Sequence, residues 1–321
     1  MNKPQVSVIV PVYNMGERLT KTINSLLHQT LKTLEIIIIN DASTDNSGDI
    51  IKLLAEKHKN IVTVNFSENK GVHEARLAGL KISSAPWIGF LDADDFARPK
   101  MFSTLLSAAE ENNVDIVVCG SDRVTEKRKV IASKIKFRKS KKIENDIFKK
   151  FCAFEFGTGM LWNKLYNRKV IEPYFNLKFP WRQSINEDLI LNIGCYYQAK
   201  SIYLLSDSLH EYVYNRKSIT SQINKVKAYV ELYKSLSLAV SIFNKNDDYI
   251  LYEIIKMYQK QFSWSCYHVN NKALLKQYDA ELKKASILIL KNYPIALPIL
   301  TASKTEIKEL ITRLIKKIFR Y

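Results

Sequence analysis

The amino-acid sequence predicts an α/β fold, a mostly parallel sheet flanked by helices, followed by a mostly helical C-terminal region. Three observations carry this. Over residues 1–121 short apolar runs alternate with amphipathic stretches, as strands buried between helical layers do. Three of those runs end in polar clusters, where an open parallel sheet binds ligands. Beyond Ser221 the apolar spacing is helical to the end of the chain.

Taken in order, Val6 to Val12 is a short uncharged apolar run and reads as the first strand. Glu17 to Gln29 places Leu19, Ile23, Leu26 and Leu27 on one helical face, the stripe a helix needs to cover a sheet. Leu34 to Asn40 is the second strand, and Ser47 to His58 repeats the helical pattern with Ile50, Ile51 and Leu54. Ile61 to Phe66, Trp87 to Leu91 and Asp115 to Cys119 read as further strands, with helices over Val72 to Ile82 and Pro99 to Asn112. Pro99 is expected in the first helical turn, where a missing N–H costs little. Lys134, Lys136 and Arg138 alternate with Ile135 and Phe137 as in a half-buried edge strand, and Ser140 to Phe151 reads as a Lys-rich helix.

Composition narrows the class. The chain is 46% hydrophobic and 25% charged, close to soluble averages, and its 321 residues suggest two domains. Cys119, Cys152, Cys195 and Cys266 are far apart, with no zinc-type spacing, and are expected to be buried thiols in a reducing compartment. The opening MNKPQVSVIV carries one Lys and stops at Pro11 without a small-residue cleavage site, so it reads as a strand and not a signal peptide. The apolar stretch from Ser286 to Leu300 is broken by Lys291, Pro294 and Pro298, and no transmembrane helix is expected. Cytoplasmic residence follows as the expectation.

The polar clusters are Pro11-Val12-Tyr13-Asn14, then Asn40 to Asp45, then Asp92-Ala93-Asp94-Asp95. On parallel strands all three fall on one edge of the sheet. Three carboxylates within four residues suit a hard divalent cation such as Mg²⁺ or Mn²⁺, which takes oxygen ligands and keeps substrate phosphates in its shell.

VSVIVPVYN at 6–14, NDASTDNS at 40–47, the stretch from Gly71 to Arg76 and LDADD at 91–95 together resemble the inverting glycosyltransferase family 2, over roughly residues 4–221. The resemblance implies a GT-A, Rossmann-like fold with a donor half at 1–121 and an acceptor half at 122–221, leaving 222–321 as a helical region. It implies a nucleotide-diphosphate sugar, with a UDP-sugar expected, held through Mn²⁺ or Mg²⁺. Donor contacts are expected from Pro11, Val12, Tyr13, Asn14, Asp41, Arg76, Asp92, Ala93 and Asp94, with Asp94 as the direct metal ligand and Asp95 supporting it. Asn186-Glu187-Asp188 resembles the family's Glu-Asp motif, and Asp188 aligns with its catalytic base. Trp162 and Lys164 match a segment lining the acceptor side, and Arg216 matches a loop that closes over the diphosphate. His210 is left outside the metal set. The expected activity is hexosyl or N-acetylhexosaminyl transfer to a glycan or lipid-linked acceptor, in cell-surface polysaccharide or glycoconjugate synthesis.

The formal charge of +17 is uneven: residues 222–321 carry 17 Lys and Arg against 8 Asp and Glu. Glu306 to Tyr321 sets Ile307, Leu310, Ile311, Leu314, Ile315, Ile318 and Phe319 on one face, with the basic residues largely off it. A basic amphipathic helix of this kind gains about 1 kcal/mol per cation near anionic lipid, so peripheral contact with the inner face of the membrane is expected. The same face could instead pack on Tyr229 to Phe243 or on a second copy of the chain. Nucleic-acid binding is not expected, since much of the charge sits on a terminal helix and not in an aromatic-lined groove. Asp92, Asp94 and Asp188 together argue against a catalytically silent scaffold.

Overall fold

The computed structural model describes residues 3–214, 225–243, 248–265 and 278–292. Arg216 and the basic stretch from Glu306 to Tyr321 lie outside them. The chain divides into two compact units: Met1–Ile147 with Phe156–Arg182 and Gly194–Arg216, and Phe148–Glu155 with Gln183–Ile193 and Lys217–Tyr321.

The first unit is built on a ten-stranded sheet. Strands β1 (Val6–Val12), β2 (Leu34–Asn40), β3 (Ile61–Asn65) and β4 (Trp87–Phe90) lie in the order β3-β2-β1-β4. All are parallel, with Val6 opposite both Leu34 and Trp87. Every residue of β1 is buried, which is why its sequence is a continuous apolar run without alternation. Helices α1 (Arg18–Leu27), α2 (Ser47–Lys57) and α3 (Val72–Ile82) are the crossovers. Leu19, Ile23 and Leu26 of α1 are buried with the β1 and β2 valines and isoleucines in one core, each side chain contributing about 1.5–3 kcal/mol.

Along the chain there follow β5 (Phe96–Ala97), α4 (Met101–Asn112), β6 (Ile116–Val124), β7 (Val130–Ile135), β8 (Lys141–Ile143), α5 (Ile147–Cys152), β9 (Lys164–Asn167), α6 (Arg168–Ile171), α7 (Glu187–Gln198) and β10 (Ile202–Val213), of which the strands extend this sheet. Beyond β4 come β9, antiparallel to both β4 and β6, then β10 parallel to β6, and finally β5 antiparallel to β10. β7 pairs with β6 and β8 with β10.

Four expectations are corrected. Pro99 lies ahead of α4, which starts at Met101, and its carbonyl accepts Thr30 N–H at 2.9 Å; the chain there is still leaving the Asp loop. The strand begun near Asp115 continues to Val124. The edge strand is displaced toward the N-terminus, to Val130–Ile135. Ser140 to Phe151 is not one helix: Lys141–Ile143 pairs with β10 and only Ile147–Cys152 is helical, because Ile143 is drawn onto the sheet by Ile202 opposite it. Cys119, Cys152 and Cys195 are buried free thiols.

In the second unit, α8 (Lys225–Phe243) packs with α9 (Asp248–Ser265) and α10 (Asp279–Asn292). Lys234 of α8 bridges Glu231 at 2.7 Å and Glu281 at 3.2 Å, and Ser235 Oγ meets Tyr258 Oη at 2.5 Å. Among the described residues no helix is long and apolar enough to cross a membrane.

Candidate active site

The carboxyl ends of β1, β2 and β4 meet on one edge. Asn14, just past β1, adopts a left-handed backbone with φ 50°, which Asn tolerates better than most residues. Its Oδ1 accepts Thr44 N–H at 2.8 Å and its own N–H donates to Ser43 Oγ at 3.1 Å. Asp41 N–H donates to Val12 O at 2.8 Å. These bonds lock the ends of β1 and β2 together, with Pro11 and Val12 buried beneath and Tyr13, 47% exposed, at the surface.

Asp41 is buried, and its two carboxylate oxygens accept Lys70 N–H at 2.6 Å and Gly71 N–H at 2.8 Å. Its side chain therefore shapes the loop entering α3, while each oxygen keeps a lone pair for a further donor. Gly71 has φ 92° and ψ 161°, a region essentially restricted to glycine, and a Cβ there would come within 3.1 Å of Arg182 Nε. Gly71→Ala is expected to cost about 1–3 kcal/mol of stability, measured by denaturant unfolding.

One turn into α3, buried Arg76 donates from Nη2 to Asp92 Oδ1 at 3.0 Å. This bond ties the helix to the loop after β4. That loop is a tight turn in which Asp95 N–H donates to Asp92 O at 3.0 Å, and Thr22 Oγ of α1 donates to Ala93 O at 2.8 Å. Asp94 faces a pocket lined by Arg18, Lys21, Phe96 and Val213. Its burial, then the charges of Asp95 and Asp92, raise its pKa to about 7. Asp95 is 1% exposed, its Oδ1 accepts Val213 N–H at 2.8 Å, and burial followed by the charge of Asp92 raises its pKa.

Asp95 Oδ2 lies 3.3 Å from His210 Nε2 without the alignment of a hydrogen bond, and both atoms are buried and unpartnered. Burial first lowers the His210 pKa to about 3, so the contact sets a neutral imidazole against a carboxyl group and is no ion pair. Among the described residues no group of three or more His, Cys, Asp or Glu is arranged to hold a metal ion alone. Crowded, proton-retaining carboxylates nevertheless fit a hard cation whose shell a phosphate ligand completes.

Trp162 and Lys164, expected on the acceptor side, are both buried. Trp162 stacks on His210 at 4.1 Å between ring centroids. Lys164 Nζ donates to the carbonyls of Thr158 at 3.3 Å and Met160, and to Asn163 Oδ1 at 2.9 Å. The Lys164 ammonium thus ties the start of β9 to the chain just ahead of it.

Glu187 and Asp188 are buried at the start of α7 in the second unit, with Asp188 Oδ1 accepting Leu189 N–H at 2.7 Å. The residues ahead of them are pinned within that unit. Gln183 Nε2 donates to Glu231 O and Ser184 N–H to Glu231 Oε2, both at 2.8 Å, and Asn186 Nδ2 donates to Gln261 Oε1 at 2.9 Å. Asn186 itself is left-handed, φ 63°. Sequence reasoning missed Glu231 and Gln261 as supports, because they lie 47 and 75 residues from their partners.

Set against known proteins, residues 7–175 match the family model described as Glycosyl transferase family 2. Uncharacterized glycosyltransferase EpsJ of Bacillus subtilis is 31% identical over 75% of this chain and 70% of its own length. The crystal structure of S. aureus TarS in complex with UDP-GlcNAc superposes with a TM-score of 0.70 at 18% identity, covering 99% of this chain and 93% of that one. Mannosyltransferase PcManGT from Pyrobaculum calidifontis, in complex with GDP-Man and Mn²⁺, gives a TM-score of 0.54 at 16% identity over 100% of this chain and 88% of that one. A mixed sheet whose parallel half gathers Tyr13, Asp41, Arg76 and the Asp92–Asp95 turn on one edge is thus the GT-A fold, and the chain belongs to glycosyl transferase family 2.

Proposed function

We propose that this glycosyltransferase moves a sugar from a UDP-sugar, with inversion at the anomeric carbon and with a divalent cation, onto a hydroxyl of a glycan or lipid-linked acceptor. The observation that carries the reading is the shared edge on which Tyr13, Asp41, Arg76 and Asp92–Asp95 converge. The UDP-GlcNAc held by TarS and the GDP-Man and Mn²⁺ held by the mannosyltransferase support it.

In this reading the exposed Tyr13 ring is the flat wall against which the base stacks. Asp41 and the Gly71 loop it holds bound the base edge, and Asp92, oriented by Arg76, serves the ribose. Asp94 is the direct ligand of Mn²⁺ or Mg²⁺, with Asp95 behind it fixing the turn to β10. The cation supplies Lewis-acid stabilisation of the charge on the departing diphosphate, so that no protonated side chain is required there. Asp188 takes the proton from the acceptor hydroxyl as its oxygen bonds to the anomeric carbon and the bond to the diphosphate breaks. One displacement gives inversion.

A thermal-shift screen of UDP- and GDP-sugars with and without Mn²⁺ tests the donor. A ligand at about 100 times its Kd adds about 2.7 kcal/mol of stability. A UDP-sugar is expected to raise Tm, more strongly with Mn²⁺ present; no shift with any nucleotide sugar would remove the proposal.

A further inference from the structure

Strand β6 runs on past the level at which β4 stops. Gly89 of β4 lies opposite Leu165, which lies opposite Val117, and β6 continues to Val124. This extension is lined by β10, whose Val213 is bonded to Asp95, and by β7. Most charges here are matched. Arg98 pairs with Asp122 at 2.7 Å and Glu211 at 3.2 Å, and Arg128 pairs with Glu211 at 2.6 Å.

Arg123 and Lys134 are different. Among the described residues neither cation has a carboxylate within ion-pair distance, and Arg123 Nε is buried without a hydrogen-bond partner. The Arg123 guanidinium lies 5.3 Å from the ring centre of Tyr214, which is 43% exposed, and Lys134 Nζ lies 3.8 Å from that of Tyr212. Arg123 sits opposite Tyr212 in the sheet register. The two cations feel each other: burial first, then the charge of Arg123, lowers the Lys134 pKa. Asp95 attracts Lys134, but one of its oxygens is bonded to Val213 N–H.

Two part-buried, mutually repelling cations cost stability unless an anion joins them. A planar guanidinium fork beside a compact ammonium matches a phosphoryl group, which Arg binds through two oxygens and Lys as a point charge. The rings of Tyr212 and Tyr214 add faces suited to the C–H patches of a sugar or polyol. In the strand order β2-β1-β4-β9-β6-β10, Tyr13 and Asp41 stand at one side of the Asp turn and Arg123 and Lys134 at the other. We propose that Arg123 and Lys134 form a subsite for a phosphoryl group carried by the acceptor. This rests on the reading of the Asp92–Asp95 turn as the diphosphate end of the donor site.

The test uses the full chain saturated with UDP and Mn²⁺, titrated calorimetrically with glycerophosphoglycerol, a phosphodiester without a nucleotide. The wild type is expected to bind it, and the double variant Arg123→Gln, Lys134→Gln to bind it at least about tenfold more weakly, as loss of charge-assisted bonds implies. UDP affinity should be unchanged, and Tm without ligands unchanged or raised, since repulsion is relieved. Failure of the wild type to bind the diester, equal binding by the variant, or a fall in its Tm overturns the subsite. Displacement of the diester by UDP, or loss of UDP binding in the variant, assigns these cations to the donor diphosphate and overturns the acceptor assignment. Repeating the titration without UDP keeps the result separate from the donor reading, which fails instead if the wild type binds no UDP.

Discussion

Asp94→Asn is expected to lower sugar transfer by about a thousandfold, the scale on which removing one charge-stabilising group acts, and to raise the Tm of the ligand-free protein. Both effects come from one environment. Burial and the neighbouring Asp95 and Asp92 raise the Asp94 pKa to about 7 from the ordinary 3.8. A carboxyl whose pKa is raised on folding holds its proton more tightly in the folded state, so its ionisation penalises the folded state increasingly as pH climbs through that interval, and fully above it. The gain in Tm from Asp94→Asn should therefore be larger at about pH 8 than at about pH 5. In the proposed role, Asp94 would trade stability of the empty protein for attraction to a cation. Differential scanning calorimetry at the two pH values, alongside a transfer assay with Mn²⁺, reads both halves. Full turnover in the variant would remove Asp94 as metal ligand, and a Tm gain no larger at the higher pH would remove the crowding argument.

The parts of the site legible in the sequence are those built from contiguous residues on fully buried parallel strands. Val6–Val12 and Leu34–Asn40 match their expected bounds because strands covered on both faces must be apolar throughout, and the polar residues that follow them then mark the ligand edge. β9 was hidden for the opposite reason. It lies in the middle of the sheet yet carries Lys164, whose charge is satisfied by the carbonyls of Thr158 and Met160 and by Asn163, so the segment carrying Trp162 and Lys164 reads as an acceptor-side lining and not as a central strand. β10 was hidden by its irregular register, with shifts between Leu204 and Ser208 and between Ser208 and His210. That strand supplies the Val213 N–H that orients Asp95 and the Tyr212 ring beneath Lys134. Lys134 itself read as one tooth of a solvated alternation, since nothing local in the sequence shows that Arg123 will be brought beside it.

Asp188→Asn is expected to cut transfer by about a hundred- to ten-thousandfold, the usual worth of a positioned general base, while UDP and UDP-sugar affinity stays at the wild-type value. The amide keeps the size of the carboxylate and an oxygen for the bond from Leu189 N–H, present at 2.7 Å, so the start of α7 should hold its shape and only the proton-accepting function is lost. Glu231 separates chemistry from placement. Its side chain accepts Ser184 N–H at 2.8 Å and pairs with Lys234 at 2.7 Å, acting on the chain just ahead of Asp188 without any place in the reaction. Glu231→Gln retains one acceptor oxygen, and should lower kcat far less than Asp188→Asn. Its pH–rate profile should keep the wild-type acidic limb, because the base is still present. Asp188→Asn should abolish that limb along with the rate. Equal transfer in wild type and Asp188→Asn, measured at saturating donor, would take the base role from Asp188 and leave its carboxylate as a helix-terminus group favoured by the positive end of the α7 dipole.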